Sequence, residues 1–394
     1  MALTFISILS ALSPFALSRE NHISSVTAIT EVFGEGQKIT AVAVEYDKDI
    51  NAASLTTSSF SVADRSITRV YTNTAATKAP QGSKGPFVII ELALNDANAD
   101  TFSQEKGKIY RSAAEVNVKQ LETIKTTRGK KYQPFADYIP SDKVNNLIVD
   151  DFQHLVYQDI KTGKSLRYNL YVPKNYDPAK SYPLVFFGHD TGMTSTDTMT
   201  TLIQGLGATV WASPAEQAKH ESFVLAPQYD NQIVNDQSES TDSLDMTVDL
   251  INMLVNQYSI DSNRLYATGQ SGGCMLSIAM SIKYPDLFAG LFLVAGQWDT
   301  EAMKTIAHKN MWIVVSQGDA KAYPGMNAGT AAMEEAGGTV SRAVWSGVAS
   351  ADEIATDAAK MIAEGNNIKY VALLKGTVVP EGQTDDPGSN HVNT

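Results

Sequence analysis

The sequence predicts a two-domain protein: an all-β sandwich, then an α/β domain whose mostly parallel sheet carries helices on both faces. Three observations predict it. From Ser25 to about Val118 apolar residues recur at period two, in short runs separated by Gly, Asn, Asp and Ser clusters. After Leu147, apolar strand-like runs alternate with helix-like segments. A chain of 394 residues is also about the length that two domains need.

The first domain rests on "ITAVAVEY" (39–46), "FSVADRSITRVYTN" (60–73) and "PFVIIELAL" (86–94), which repeat the same two-residue rhythm. Several short strands without a long helical period point to a sandwich over residues 25–118. No His/Asp/Ser constellation stands out there, which suits a support or spacer module. Residues 119–146 are polar and basic with two prolines and read as a linker with some local structure.

The second domain spans 147–394. "SLRYNLYVP" (165–173) alternates like a strand, whereas "PLVFFGHD" (183–190) and "SFVLAPQY" (222–229) are continuous apolar runs, as buried parallel strands require. Leu244, Val248, Ile251 and Val255 mark a helix, entered at Thr241-Asp242-Ser243. "RLYATG" (264–269) is a strand, and "CMLSIAMSIKY" (274–284) is a buried helix that stops at Pro285. Further strands fall at about 289–295, 311–316, 341–346 and 368–376, with helical segments between them. Sheets of this kind carry their sites at the C-terminal ends of the strands.

The totals exclude some functions. A net charge of −12 argues against nucleic acid and against acidic membrane surfaces, both of which need clustered Lys and Arg. The single cysteine, Cys274, leaves no intramolecular disulfide. The six histidines form no His-x-x-x-His pair and no EF-hand pattern occurs, so neither a metal nor another cofactor is expected. Residues 1–18 are uncharged and mostly apolar, like a signal-peptide core with a small-residue site near Ala16-Leu17-Ser18, although a positive leading region is missing. A secreted or periplasmic protein is therefore expected. Pro14 and the short length argue against a membrane span.

"YATGQSGGCM" (266–275) fits Gly-x-Ser-x-Gly around Ser271. In a chain with 26 glycines the pattern alone is weak, so its setting must decide. Ser271 falls between a predicted strand and a predicted helix, which is the context of a nucleophile elbow. A serine hydroxyl needs a base to take its proton, and the base needs an orienting carboxylate. In such folds the order is Ser, acid, His. Asp319 follows the strand "MWIVVSQGD" and is favoured over Asp299, one strand earlier. Of the two later histidines, His308 precedes a strand, at the wrong end of the sheet, so His391 is the expected base. The oxyanion donors are expected at the N–H of Gly272 and, from the loop after "PLVFFGHD", near Thr191. His189 reads as a packed residue that organises this loop.

Three stretches, "YNLYVPKNYDPAKSYPLVFFGHDTG", "YSIDSNRLYATGQSGGCMLSIAMSIKYPDLFAGLFLVAG" and "VSQGD", together resemble esterases of the α/β-hydrolase superfamily. The nearest group is carboxylesterases and predicted peptidases with an N-terminal immunoglobulin-like domain, related to feruloyl esterases and polyhydroxybutyrate depolymerases. The resemblance covers most of 145–394 and, loosely, the β-rich half. It implies an α/β-hydrolase fold, a triad of Ser271, Asp319 and His391, and a β-domain that shapes or shields the site entrance. The chain departs from the family at Asp190, where relatives carry glycine. A carboxylate would oppose a developing oxyanion, so Asp190 is expected to point away. Relatives also continue into a last helix beyond His391, so a truncated chain with a weakly anchored His391 loop is expected.

The expected activity is hydrolysis of carboxylic esters, with short to medium acyl groups, on a small-molecule or polymer-borne substrate. A serine peptidase on the same fold, or a non-catalytic polymer- or carbohydrate-binding protein, is the alternative. Oligomeric state is not legible.

Overall fold

The computed structural model describes residues 22–105 and 108–394, so the signal-peptide expectation for 1–18 lies outside the described residues. The chain forms two compact units. The first holds the described residues up to Thr30 together with Ile39–Ala99 and Ala113–Asn145. The second holds Glu31–Lys38, Asp100–Ser112 and Asn146–Thr394.

The first unit is a β-sandwich. One sheet runs in the order Lys143–Asn146, Ile23–Phe33, Gly36–Tyr46, Phe87–Leu92, Ile67–Asn73. A second sheet pairs Ile139–Pro140, Asn117–Gln120 and Phe60–Val62. The predicted run 60–73 is thus two strands in two sheets, broken near Asp64, which has a φ of 56°. The alternation buries Val42, Val44, Val88 and Ile90 in the same core as Val118, Ile124, Tyr132 and Phe135.

Those last residues correct the domain boundaries. Residues 119–146 are not a linker but the closing strands of the sandwich. The Gln120 amide is buried, accepting from the Tyr46 hydroxyl at 2.8 Å and donating to the Tyr132 carbonyl at 3.0 Å. Strands of two to four residues, such as Ile124–Lys125 and Lys143–Asn146, are too short to show a period in sequence. The hairpin of Phe102–Glu105 and Lys108–Arg111 departs the other way, since it belongs to the second unit.

The second unit is built on nine strands: β1 Phe152–Gln158, β2 Ser165–Tyr171, β3 Tyr182–Gly188, β4 Phe223–Gln228, β5 Ile260–Gln270, β6 Gly290–Val294, β7 Asn310–Ser316, β8 Val340–Trp345 and β9 Ile368–Leu373. Their spatial order is β1-β2-β4-β3-β5-β6-β7-β9-β8. β1 and β2 pair antiparallel to their neighbours and the rest are parallel. Helices Ser243–Gln257, Gly272–Lys283 and Ala322–Glu335 bury Leu250, Ile251, Ile278 and Met326 in the main core with Phe186, Leu265 and Ile313. Phe187, alternating with Phe186, faces the other side and packs with Leu202, Ala208 and Ala212 of the helical turns Thr200–Ile203 and Leu206–Ala212. Among the described residues no helix is long and apolar enough to cross a membrane.

Candidate active site

The parallel strands bring Gly188, Gln270 and Ser316 to one edge, each as the last residue of its strand. Everything expected of the site hangs from these three ends.

Ser271 follows β5 directly and leads into helix Gly272–Lys283. Its φ of 53° and ψ of −117° lie outside the ordinary regions, a strain on the order of 1–3 kcal/mol. The turn is held by the Ser271 N–H donating to the Val294 carbonyl at 2.9 Å, and by the Met275 N–H donating back to Ser271 at 3.0 Å. It closes only over glycine. A Cβ on Gly273 would stand 1.8 Å from the Gly188 carbonyl oxygen, and one on Gly269 would stand 2.4 Å from the Gly273 carbonyl carbon. The spacing of the two glycines around Ser271 therefore has a steric cause.

His391 lies on a short helix, Pro387–Val392, rather than in an open loop. Its Nε2 is 2.7 Å from Ser271 Oγ and its Nδ1 is 2.6 Å from Asp319 Oδ2. Asp319 is 3% exposed, and its Oδ1 accepts the Lys321 and Ala322 N–H groups at 2.9 and 2.8 Å. Burial alone would raise the Asp319 carboxyl. The hydrogen bonds from His391 and the two backbone donors outweigh it and hold the carboxyl below its usual range. At His391, burial works to lower the imidazole, but the Asp319 hydrogen bond and charge, with a further contribution from Asp190, raise it above its ordinary value.

The other candidates fall away. Asp299 caps helix Thr300–Met303, accepting the Ala302 N–H at 2.8 Å. His308 is exposed and precedes β7, at the opposite end of that strand from Ser316. His189 is buried, with its Nε2 accepting the Tyr229 N–H at 3.0 Å and Nδ1 2.7 Å from the Asp190 carbonyl. Nε2 thus carries no proton, and burial lowers the imidazole further, so His189 is a neutral prop for its loop.

Thr191 and Gly272 come together. Each is the first residue of a helical turn, Thr191–Met193 and Gly272–Lys283, so neither N–H has an intrahelical acceptor. A Cβ on Gly272 would stand 3.0 Å from the Thr191 nitrogen and 1.9 Å from its Oγ1. Asp190 caps the turn: its Oδ1 accepts the Gly192 N–H at 2.6 Å. The Asp190 carboxylate is thereby engaged in holding the loop.

Two residues that sequence reasoning missed hold His391 in place. Asn390 is fully buried, accepts the Ser316 hydroxyl at 2.7 Å and donates to Asp385 and to the Asp386 carbonyl. Gln270 Nε2 donates to the Val392 carbonyl at 3.1 Å. The expected weak anchoring is corrected by these contacts and by the Asp386 cap on the Ser389 N–H at 2.8 Å.

Beside this machinery lies a cleft of about 10 Å³, bordered by Thr191, Gly272, Leu276, Tyr229 and Ile233. Among the described residues no group of three or more His, Cys, Asp or Glu is placed to hold a metal.

Known proteins share this organisation. Residues 25–133 match the family described as the esterase Ig-like N-terminal domain, and residues 166–343 match that described as esterase PHB depolymerase. The chain is similar to a thermostable esterase of known crystal structure, with a TM-score of 0.79, 27% identity, and coverage of 94% of this chain and 95% of that one. It is also similar to acetylxylan esterase A of Emericella nidulans, 28% identical over 92 residues, a match covering 19% of this chain. The matched stretch spans 30% of that relative's length. Residues 25–133 are therefore similar to the esterase immunoglobulin-like N-terminal domains and residues 166–343 to the esterase PHB depolymerase family, on an α/β-hydrolase fold.

Proposed function

We propose that the protein is a serine carboxylesterase that hydrolyses esters of short carboxylic acids through an acyl-enzyme. The observation that carries this reading is the continuous hydrogen-bond chain from Ser271 Oγ through His391 to buried Asp319. Ser271 Oγ attacks the ester carbonyl as its proton passes to His391 Nε2. Asp319 keeps the other imidazole proton on Nδ1 and stabilises the imidazolium that forms. The N–H groups of Gly272 and Thr191 receive the negative charge that develops on the carbonyl oxygen. His391 then gives its proton to the departing alcohol. Water, activated by the same imidazole, hydrolyses the acyl-enzyme and regenerates Ser271.

The narrow cleft beside Gly272 supports a short acyl group. Its volume of about 10 Å³ is close to that of one water-sized sphere, whereas drug-sized ligands occupy pockets of roughly 300 Å³ or more. Acetate esters should therefore be turned over faster than butyrates, and butyrates faster than octanoates.

The test is turnover of p-nitrophenyl acetate, butyrate and octanoate by the wild type and by Ser271→Ala. The reading expects hydrolysis that falls with acyl length and is abolished by the substitution. Equal rates in the two proteins would remove Ser271 from the mechanism. Cleavage of peptides without cleavage of esters would favour a peptidase.

A further inference from the structure

The hairpin of Phe102–Glu105 and Lys108–Arg111 lies early in the chain yet belongs to the catalytic unit. Phe102 is buried with Phe187, Met193 and Leu202, and Ile109 packs against the same cluster. Arg111 pairs with Asp197, and its Nη2 lies 3.2 Å from Met199 Sδ. Residues two apart on a strand share a face, so Gln104 lies on the side of Phe102.

Its carboxamide reaches the oxyanion turn. Gln104 Nε2 is 2.6 Å from the point where a Cβ on Gly192 would stand, and Asp190 Oδ1 is 2.8 Å from the same point. With consecutive Cα atoms about 3.8 Å apart, Gln104 Nε2 lies within roughly 8 Å of the Thr191 Cα. A substrate held at Thr191 needs only a few further atoms to reach it. The carboxamide is half-buried, and among the described residues it has no hydrogen-bond partner. A donor so placed is satisfied at full strength only by an acceptor brought by a ligand or by water.

The side of the ester it meets follows from the proton path. Gln104, Gly192 and Asp190 do not border the cleft beside Gly272, which suits the acyl group. The alcohol must leave beside His391, which protonates it. Asp190, whose Oδ1 lies beside the same point on Gly192, directly precedes Thr191, and Thr191 stands over Gly272, the neighbour of the Ser271 that His391 contacts at 2.7 Å.

We propose that Gln104 is a specificity-determining residue that donates a hydrogen bond from Nε2 to an oxygen in the alcohol portion of the ester. The site then takes oxygen-bearing alcohols over hydrocarbon alcohols of the same size. The proposal rests on the ester hydrolase reading above.

Butyl acetate and 2-methoxyethyl acetate test it, because they differ by one CH₂ exchanged for an ether oxygen. The wild type should prefer the methoxyethyl ester in kcat/KM by about 3- to 10-fold, the range of one net hydrogen bond. Gln104→Met, which keeps the length and removes the donor, should bring that ratio to about one. Gln104→Glu, which offers an acceptor in place of the donor, should bring it below one. No preference in the wild type, or a ratio kept in Gln104→Met while both esters slow alike, would overturn the proposal. Ser271→Ala serves as the control for the reading beneath it. Undiminished hydrolysis of butyl acetate by that variant overturns the ester reading and this proposal together. Full dependence on Ser271 with an unchanged ratio in Gln104→Met overturns this proposal alone.

Discussion

The two sides of the site are held by different physical means. On the side of the proposed nucleophile, Ser271, His391 and Asp319 are linked by hydrogen bonds of 2.7 and 2.6 Å, and Asp319 is fixed in turn by two backbone donors. On the side of the proposed oxyanion donors no hydrogen bond joins Thr191 to Gly272. They meet because Gly272 has no side chain and because Asp190 caps the turn that presents Thr191. One side depends on side-chain chemistry and the other on missing side chains and a cap. Substitutions should therefore act differently on the two.

The largest effect is expected at Ser271. Ser271→Ala should lower kcat by about 10⁵-fold or more while the chain stays folded, read by ester turnover alongside a thermal melt. Asp319→Asn comes next, at about 10⁴-fold in kcat, because an amide can donate to Nδ1 and favour the wrong tautomer. Gly272→Ala attacks the oxyanion side. Its methyl would fall 1.9 Å from Thr191 Oγ1, so the turn must move, and kcat should fall by about 10²- to 10³-fold with little change in KM. A Gly272→Ala enzyme of full activity would break the contrast between the two sides.

The smallest effect is a pH shift. In the proposed mechanism His391 must be neutral, and its pKa is raised, so the acidic limb of kcat/KM should lie above the ordinary imidazole value. The charged groups acting on His391 are Asp319 and Asp190, which raise it, and Lys321, which lowers it. Asp190→Asn keeps an oxygen to cap Gly192 while removing the charge. It should move the acidic limb to lower pH and leave the plateau nearly intact. A limb that stays in place would show that Asp190 acts on the turn alone.

The same contrast explains what could be read from the sequence. The mostly parallel sheet was legible because buried strands such as Tyr182–Gly188 and Phe223–Gln228 are continuous apolar runs. The edge strand Phe152–Gln158 is exposed on one face beyond Phe152 and packs only Leu155 and Tyr157, both half-buried, on the other, so its apolar run is too short to mark it. Ser271 was legible because the elbow's tightness forces glycine at fixed offsets. Asp319 and His391 were legible because strand ends and chain order leave few candidates. Asn390 and Gln104 were not. Asn390 accepts from Ser316, 74 positions away, and Gln104 lies over the space that Gly192 leaves open. Neither contact leaves a local pattern. The sandwich boundary at 119–146 leaves no local pattern for a related reason: its two-residue strands are defined by their partners, as in the pairing of Lys131 with Lys125.

Covalent labelling reports directly whether Ser271 is a nucleophile activated by His391 and Asp319. A small alkyl phosphonofluoridate should react with loss of fluoride and leave a single phosphonyl group on Ser271. Peptide mass spectrometry should find that adduct, and ester hydrolysis should fall in proportion to it. Labelling of any other residue with equal loss of activity, or full hydrolysis after Ser271 is labelled, would contradict the account.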